Sequence, residues 1–369
     1  MSKILEKVDA IAREVVAPNA AAVDSRGEFP SRSIEALREA GVLGLISASG
    51  GGGTLRDAAF VVERLARDCG STSMITCMHF SAVAVLEQHA PDAIKRELAA
   101  GKALATLAFS EAGSRSQFWS PVSTAQRVDG KIRLDAKKSW ATSASHADLY
   151  VWSSKPVEAE GASTLWLVPR ATAGIRPGSP FDGLGLRGND SCGIIAEDVR
   201  VDESARLGAD GAGFAAMMEI VLPWFNVMSA ASAIGLMEKA TEATAAHATA
   251  ARFEHAGSSV ADLPTARAFI ARMRIRTDMM RALWLDTLDA IEKSRSDAML
   301  RVLEVKAAAG EAATEVTDLA MRVCGGAAFR REVGVERVFR DARAALVMAP
   351  TTDQLNEFIG KAVCGLPLF

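Results

Sequence analysis

Ala103-Leu104-Ala105-Thr106-Leu107-Ala108-Phe109-Ser110 is where the chain changes character, from helical periodicity to a short apolar run of strand length. Downstream, Arg127-Val128-Asp129-Gly130-Lys131-Ile132 carries an Asp-Gly pair between strand-like flanks, the signal of a tight hairpin. Leu149 to Trp152, Thr164 to Val168 and Gly193 to Val201 read as further strands separated by Gly, Pro and Ser. Residues 103–208 therefore form a β domain of short strands. Upstream, residues 1–102 read as helices. Ile4, Val8, Ile11 and Val15 mark one helical face, Pro30 suits a first helical turn, and Gly41 suits a stop. The tract Gly50 to Gly53 lacks the Lys-Ser/Thr of a phosphate loop and reads as a turn. From 209 to 369 the chain is helical again. Pro264 opens a helix with Phe269, Met273, Met280, Trp284, Leu288 and Ile291 on one face, and an alanine-rich helix runs from about Ser296 to Val323.

The 369 residues, 49% of them hydrophobic, suffice for two or three packed domains. With 42 basic and 45 acidic residues interspersed, the net charge of -3 gives no basis for binding nucleic acid or an anionic membrane. No uninterrupted apolar stretch approaches a membrane span, and Glu6, Asp9 and Glu14 interrupt any signal-like core at the N-terminus, so a cytoplasmic protein is expected. Five scattered cysteines without a C-x-x-C pair predict reduced, mostly buried thiols. The five histidines form no ligand-spaced pair, so no metal site is expected.

Five strings, in order, give the chain a resemblance. They are Ser110-Glu111-Ala112-Gly113-Ser114-Arg115-Ser116; Lys138-Ser139-Trp140-Ala141-Thr142-Ser143; Gly185-Leu186-Arg187-Gly188 with the later Gly211-Ala212-Gly213-Phe214; Cys324-Gly325-Gly326-Ala327-Ala328-Phe329; and Arg340-Asp341-Ala342-Arg343. Together they resemble the acyl-CoA dehydrogenase superfamily along nearly the whole chain. The resemblance implies an α+β fold: an N-terminal helical domain (1–102), a middle β-barrel domain of short strands (103–208) and a C-terminal bundle of long helices (209–369). It also implies FAD held between the β domain and the C-terminal helices.

By that resemblance Trp140 packs an aromatic face on the flavin ring and Thr142 offers a hydroxyl toward its N5. Ser110 and nearby backbone N–H groups supply donors toward the pyrimidine end of the ring, which favour negative charge on reduction, and Ser116 of the same string is a further cofactor-binding residue. Arg252 stands where the family reaches the FAD pyrophosphate of a neighbouring subunit, although Phe253-Glu254-His255-Ala256 departs from the family string and a solvated helix-end arginine is an equal reading. Gly325 and Gly326 permit close approach to the adenine half, Arg322 replaces a common glutamine, and Thr351 and Asp353 fall in a flavin-contact stretch. A flavin that bridges subunits requires a homodimer or homotetramer.

One departure bears on the chemistry. The family's catalytic glutamate follows R-D-A shortly in sequence, and here that segment reads Met348-Ala349-Pro350-Thr351, with Ala349 at the glutamate position. Alanine accepts no proton. Relatives that carry the base on the first long C-terminal helix give no help, because Leu222-Pro223-Trp224-Phe225-Asn226 has no carboxylate and the family arginine is Asn226. His79, in Cys77-Met78-His79-Phe80, is a candidate replacement base, weighed against an ordinary core histidine. Glu219 is a second, weighed against a surface ion pair.

Three functions compete. The first is a dehydrogenase acting on a small-molecule acyl thioester, on CoA or a carrier protein, that passes electrons to an acceptor flavoprotein. The second is a flavin monooxygenase fed by a partner flavin reductase. The third is a flavoprotein scaffold without turnover. Fold analogy alone does not choose between the first two.

Overall fold

The computed structural model describes residues 3–115 and 117–368. The chain opens with α1 (Lys3–Ile11), a π turn, α2 (Ala17–Arg26), α3 (Ser31–Glu39), α4 (Leu55–Ala66), α5 (Gly70–His89) and α6 (Asp92–Ala99). Thr54 caps α4 by accepting from the Asp57 N–H, and Asp57 returns the bond to the Thr54 N–H. α5 is buried on nearly every face and is the central helix of this domain.

The middle domain holds β1 (Ala105–Ala108), β2 (Thr124–Val128), β3 (Lys131–Ala141), β4 (Leu149–Ser154), β5 (Thr164–Pro169), β6 (Ile175–Pro177), β7 (Cys192–Val201) and β8 (Arg206–Leu207). The Asp129-Gly130 turn joins β2 to β3 with both residues at positive φ, 51° and 75°, as the hairpin signal requires. The expected barrel is not formed. The strands make two four-stranded sheets, ordered β1-β4-β5-β8 and β2-β3-β7-β6, each open at both ends. Tyr150, Trp152, Trp166, Leu134, Ile194 and Val199 fill the space between them. Closure fails because edge strand β1 is covered by a helix instead of another strand: the Ala105 N–H donates to Nδ1 of His79 on α5 at 3.1 Å.

The C-terminal domain contains α7 (Gly213–Ala216), α8 (Leu222–Ala250), the short pair β9 (Arg252–Phe253) and β10 (Ser258–Ser259), α9 (Pro264–Glu292), α10 (Ala298–Cys324), α11 (Val335–Ala342), α12 (Ala344–Val347) and α13 (Thr352–Val363). A π turn over Met217–Val221 separates α7 from α8. Pro223 lacks an N–H and its ring crowds the carbonyl one turn back, and a π turn is how a helix absorbs such a residue. One expectation needs correcting here. The stretch Gly213–Ala250 is long and apolar enough to cross a membrane, but 89% of its most apolar window is buried in the protein. It is the core helix of the bundle, packed on α4, α5, α9 and α10. A charged seam laces the same helices: Arg281 on α9 bonds Glu63 on α4 and Glu238 on α8, both at 2.8 Å.

Candidate active site

The three domains meet at a cleft. Leu107, Phe109 and Ser110 after β1 form one wall with Ser139 and Trp140 at the end of β3. Met78 of α5, Val221 and Leu222 at the π turn, Phe225 of α8 and Ala349 form the opposite side.

The strand wall is held by a buried ion pair. Lys138 Nζ lies 2.6 Å from Glu111 Oε1 and donates to the Ser153 carbonyl at 2.7 Å. The other Glu111 oxygen accepts from the Val122 and Ser123 N–H groups at 2.7 and 3.0 Å. Burial pulls the Lys138 ammonium down to about 8 against the pull of Glu111. Burial also works to raise Glu111, but Lys138 and the Ser123 and Val122 donors keep that carboxyl below its ordinary value. The pair is ionised at neutral pH. It fixes the Ser110 loop to β3, and the Ser139 N–H reaches the Ser110 carbonyl at 2.8 Å.

The pairing of β3 with β7 shifts register between Lys138 and Ala141. Within that bulge Trp140 adopts φ 58°, a strained conformation for a bulky residue. The bulge turns the indole outward, leaving it 71% exposed at the cleft wall. Thr142, two residues on, is buried, its hydroxyl 3.1 Å from that of Ser191. Ser110, Trp140 and Ala349 are thus brought to one cleft, and Thr142 is not among its lining residues.

Two of the strings lock the domains around this cleft. Asp341 accepts from the Leu186 N–H at 2.6 Å, and burial pushes its carboxyl up to about 6. Arg340 forms a two-bond fork with Asp24 of the N-terminal domain at 2.6 and 2.8 Å. Gly185 permits this contact, since a Cβ there would stand 2.4 Å from the Arg340 carbonyl oxygen.

The remaining predicted residues fall elsewhere. His79 is fully buried, with Nε2 2.8 Å from the Leu43 carbonyl and Nδ1 accepting from Ala105. Burial pushes its imidazole down to about 4. Its neighbour Met78, not His79, lines the cleft. Arg252 is exposed on β9. Arg322 is exposed near the end of α10 with its guanidinium 4.3 Å over the Phe269 ring. Gly325 and Gly326 are exposed in the turn that follows. Thr351 caps α13 by accepting from Gln354, and Asp353 is exposed in the first turn of that helix. Ser116 lies outside the described residues. Among the described residues no cluster of His, Cys, Asp or Glu is arranged to hold a metal.

Sequence reasoning passed over Glu111, Lys138 and Lys306. Lys306, on α10, is 1% exposed and donates to the carbonyls of Met348 and Pro350 at 2.9 and 2.7 Å. A signal for both lysines existed. Lys138 keeps the parity of Ile132 and Leu134 along β3, and Lys306 keeps the helical spacing of Val302, Ala309 and Ala313. Both are charged residues at core-facing positions.

Comparison with known proteins agrees with this architecture. Residues 2–103, 106–199 and 211–364 match in turn the N-terminal, middle and C-terminal domains of acyl-CoA dehydrogenase. The chain is 26% identical to cyclohex-1-ene-1-carbonyl-CoA dehydrogenase of Geobacter metallireducens, over 97% of this chain and 96% of that one. The glutaryl-coenzyme A dehydrogenase glutaryl-CoA complex superposes with a TM-score of 0.92 at 22% identity, covering 100% of this chain and 97% of the other. PigA with FAD and proline superposes with a TM-score of 0.86 at 22% identity, covering 99% and 98%. Over all three of its domains, the chain belongs to the acyl-CoA dehydrogenase family.

Proposed function

We propose that this protein is an FAD-dependent oxidoreductase that oxidises an acyl thioester, carried on CoA or on a carrier protein, with a proton acceptor other than residue 349. The observation that carries the reading is the cleft itself, with the exposed Trp140 ring and Ser110 on one wall and Ala349 on the other. An indole left 71% exposed on a strained backbone suits a planar ring that covers it. Bound FAD supplies a two-electron acceptor for the substrate. The chain's part is to orient and to exclude water. Trp140 would stack on the ring, Ser110 and neighbouring N–H groups would donate to its pyrimidine end, and Thr142 would offer its hydroxyl toward N5. The apolar side chains of Met78, Phe118, Leu222 and Phe225 shield the reacting carbons from solvent.

Arg252, Arg322, Gly325 and Gly326 lie on the surface of the single chain, which suits contact with the diphosphate and adenine ends of FAD bound by a neighbouring subunit. Thr351, Asp353 and Ser116 complete the set of proposed flavin contacts. An electron-transferring flavoprotein would serve as the electron acceptor. Anaerobic addition of a panel of acyl-CoA thioesters to the yellow holoenzyme tests this reading. At least one member should bleach the flavin absorbance, and failure of a chain-length and branched panel to do so removes it.

A second reading, a monooxygenase fed by a flavin reductase, draws on Ala349 and on the buried, uncharged Asn226. It requires that reduced holoenzyme, mixed rapidly with oxygen, reoxidise through a delayed phase and hydroxylate an added acceptor. Immediate one-step reoxidation excludes it.

A further inference from the structure

A second pocket adjoins the cleft, and the two share a boundary. Leu222, at the start of α8, lines both. Phe118 lines the cleft while its neighbour Trp119 lines the pocket, the two rings edge to face with centroids 5.2 Å apart. Ala349 lines the cleft and Pro350 lines the pocket. Three segments distant in sequence therefore each give side chains to both spaces.

The two spaces differ in chemistry. The cleft holds the hydroxyls of Ser110 and Ser139, on the same wall as Trp140. Every described side chain that lines the pocket is apolar. Leu303, buried in the second turn of α10, forms part of its wall, and Met299, one turn earlier and 41% exposed, stands toward solvent. Leu368 completes the lining, its carbonyl accepting from Lys361 Nζ at 3.4 Å. The Pro350 carbonyl is already taken by Lys306 at 2.7 Å. A polar atom brought into this pocket would give up water for no replacement, whereas each buried methylene should tighten binding by about fourfold. The flexible Met299 thioether lets such a wall adapt to an alkyl chain.

We propose that this pocket seats the hydrocarbon end of the substrate, so that the enzyme selects acyl groups with an unsubstituted alkyl tail and rejects those whose tail ends in a carboxylate. The thioester and the carbons to be oxidised stay in the cleft, beside Trp140 and the two hydroxyls, and the tail passes Leu222 into the pocket. This names the substrate class for the thioester reading above and rests on it.

The test uses the holoenzyme with two readouts. The first is anaerobic flavin bleaching by butyryl-CoA, octanoyl-CoA and suberyl-CoA, the last an acyl chain of octanoyl length that ends in a carboxylate. The second is the Met299 methyl signal in the ¹³C spectrum of methionine-labelled protein, assigned by its loss in Met299→Leu. Octanoyl-CoA should half-saturate bleaching at a concentration at least about tenfold below that of butyryl-CoA, and suberyl-CoA should show no such gain. The Met299 signal should move with octanoyl-CoA and stay in place with butyryl-CoA. Leu303→Phe, which fills the pocket from α10, should bring the octanoyl-to-butyryl ratio to within about threefold of one. Met299→Trp, at a partly exposed position, asks the same question where Leu303→Phe fails to fold. Equal half-saturation by butyryl-CoA and octanoyl-CoA, an unmoved Met299 signal, or an octanoyl advantage retained in the folded variants each overturns the proposal and leaves the thioester reading intact. If no thioester bleaches the flavin, the thioester reading falls and 1-octanol added alone decides the pocket. A Met299 signal that moves with 1-octanol, and no longer does so in Leu303→Phe, keeps it as an alkyl site; an unmoved signal removes it.

Discussion

Trp140 and Asp341 show how single residues divide the work between binding and stability. The Trp140 ring is 71% exposed and contributes little to the packed interior. Trp140→Ala is therefore expected to change the unfolding free energy by no more than about 0.5 kcal/mol. The same change should weaken FAD binding by at least tenfold, read by fluorescence titration of the apoprotein. A large loss of stability with unchanged FAD affinity would reassign the residue to packing. Asp341 is the converse case. Burial raises its folded-state carboxyl to about 6, above the roughly 3.9 of an unfolded aspartate. The native state therefore holds a proton that the unfolded chain has released, and stability falls as pH rises between about 4 and 6. Above that window the cost is constant. Asp341→Asn keeps an oxygen for the Leu186 N–H and removes the titration. Its stability relative to the unaltered protein should grow across that window, by up to roughly 2–3 kcal/mol, and then level off. Urea denaturation at pH 4, 5, 6 and 7 checks the sign.

At the scale of elements, helix positions were legible and strand closure was not. Pro30, Gly41 and Pro264 bound helices where their backbone chemistry requires, and the Asp129-Gly130 turn could be read because its two residues determine its geometry. A barrel and a pair of open sheets share the same short strands and the same turns. They differ in what covers the edges, a fact carried by His79 on a distant helix and not by the strands. The bulge that aims Trp140 was hidden for a related reason, since it is a relation between β3 and β7. Lys138 was legible by parity but easily passed over, because a lysine in a strand ordinarily faces water. Its burial makes a prediction about the element it holds. Lys138→Met would leave Glu111 charged and only partly compensated by two backbone N–H groups, a loss expected to cost about 3–5 kcal/mol. The double variant Lys138→Met with Glu111→Leu removes both charges and should recover a large part of that cost. A double-mutant cycle by chemical denaturation measures it; additive effects would mean the two side chains do not act as a pair.

The whole molecule leaves apolar surface that a single chain does not use. Phe329 is 84% exposed and Val347 71%. Phe329 closes the Gly325–Phe329 turn at the end of α10, the same turn whose glycines, with Arg322, are proposed to meet FAD. Large exposed aromatics beside a proposed ligand contact are the expected composition of an interface core, where a partner buries them. Association and FAD binding should then be one event, because each subunit would complete the other's site. Sedimentation velocity of the holoenzyme is expected to give a dimer or larger. Phe329→Asp places a charge at the centre of the buried contact, where desolvation without a partner costs several kcal/mol. That variant should sediment as a monomer and lose FAD on gel filtration, although Phe329 supports little of the chain's own core and the fold should survive by circular dichroism. A monomeric Phe329→Asp protein that keeps stoichiometric FAD would separate the two events and confine the flavin site to one chain.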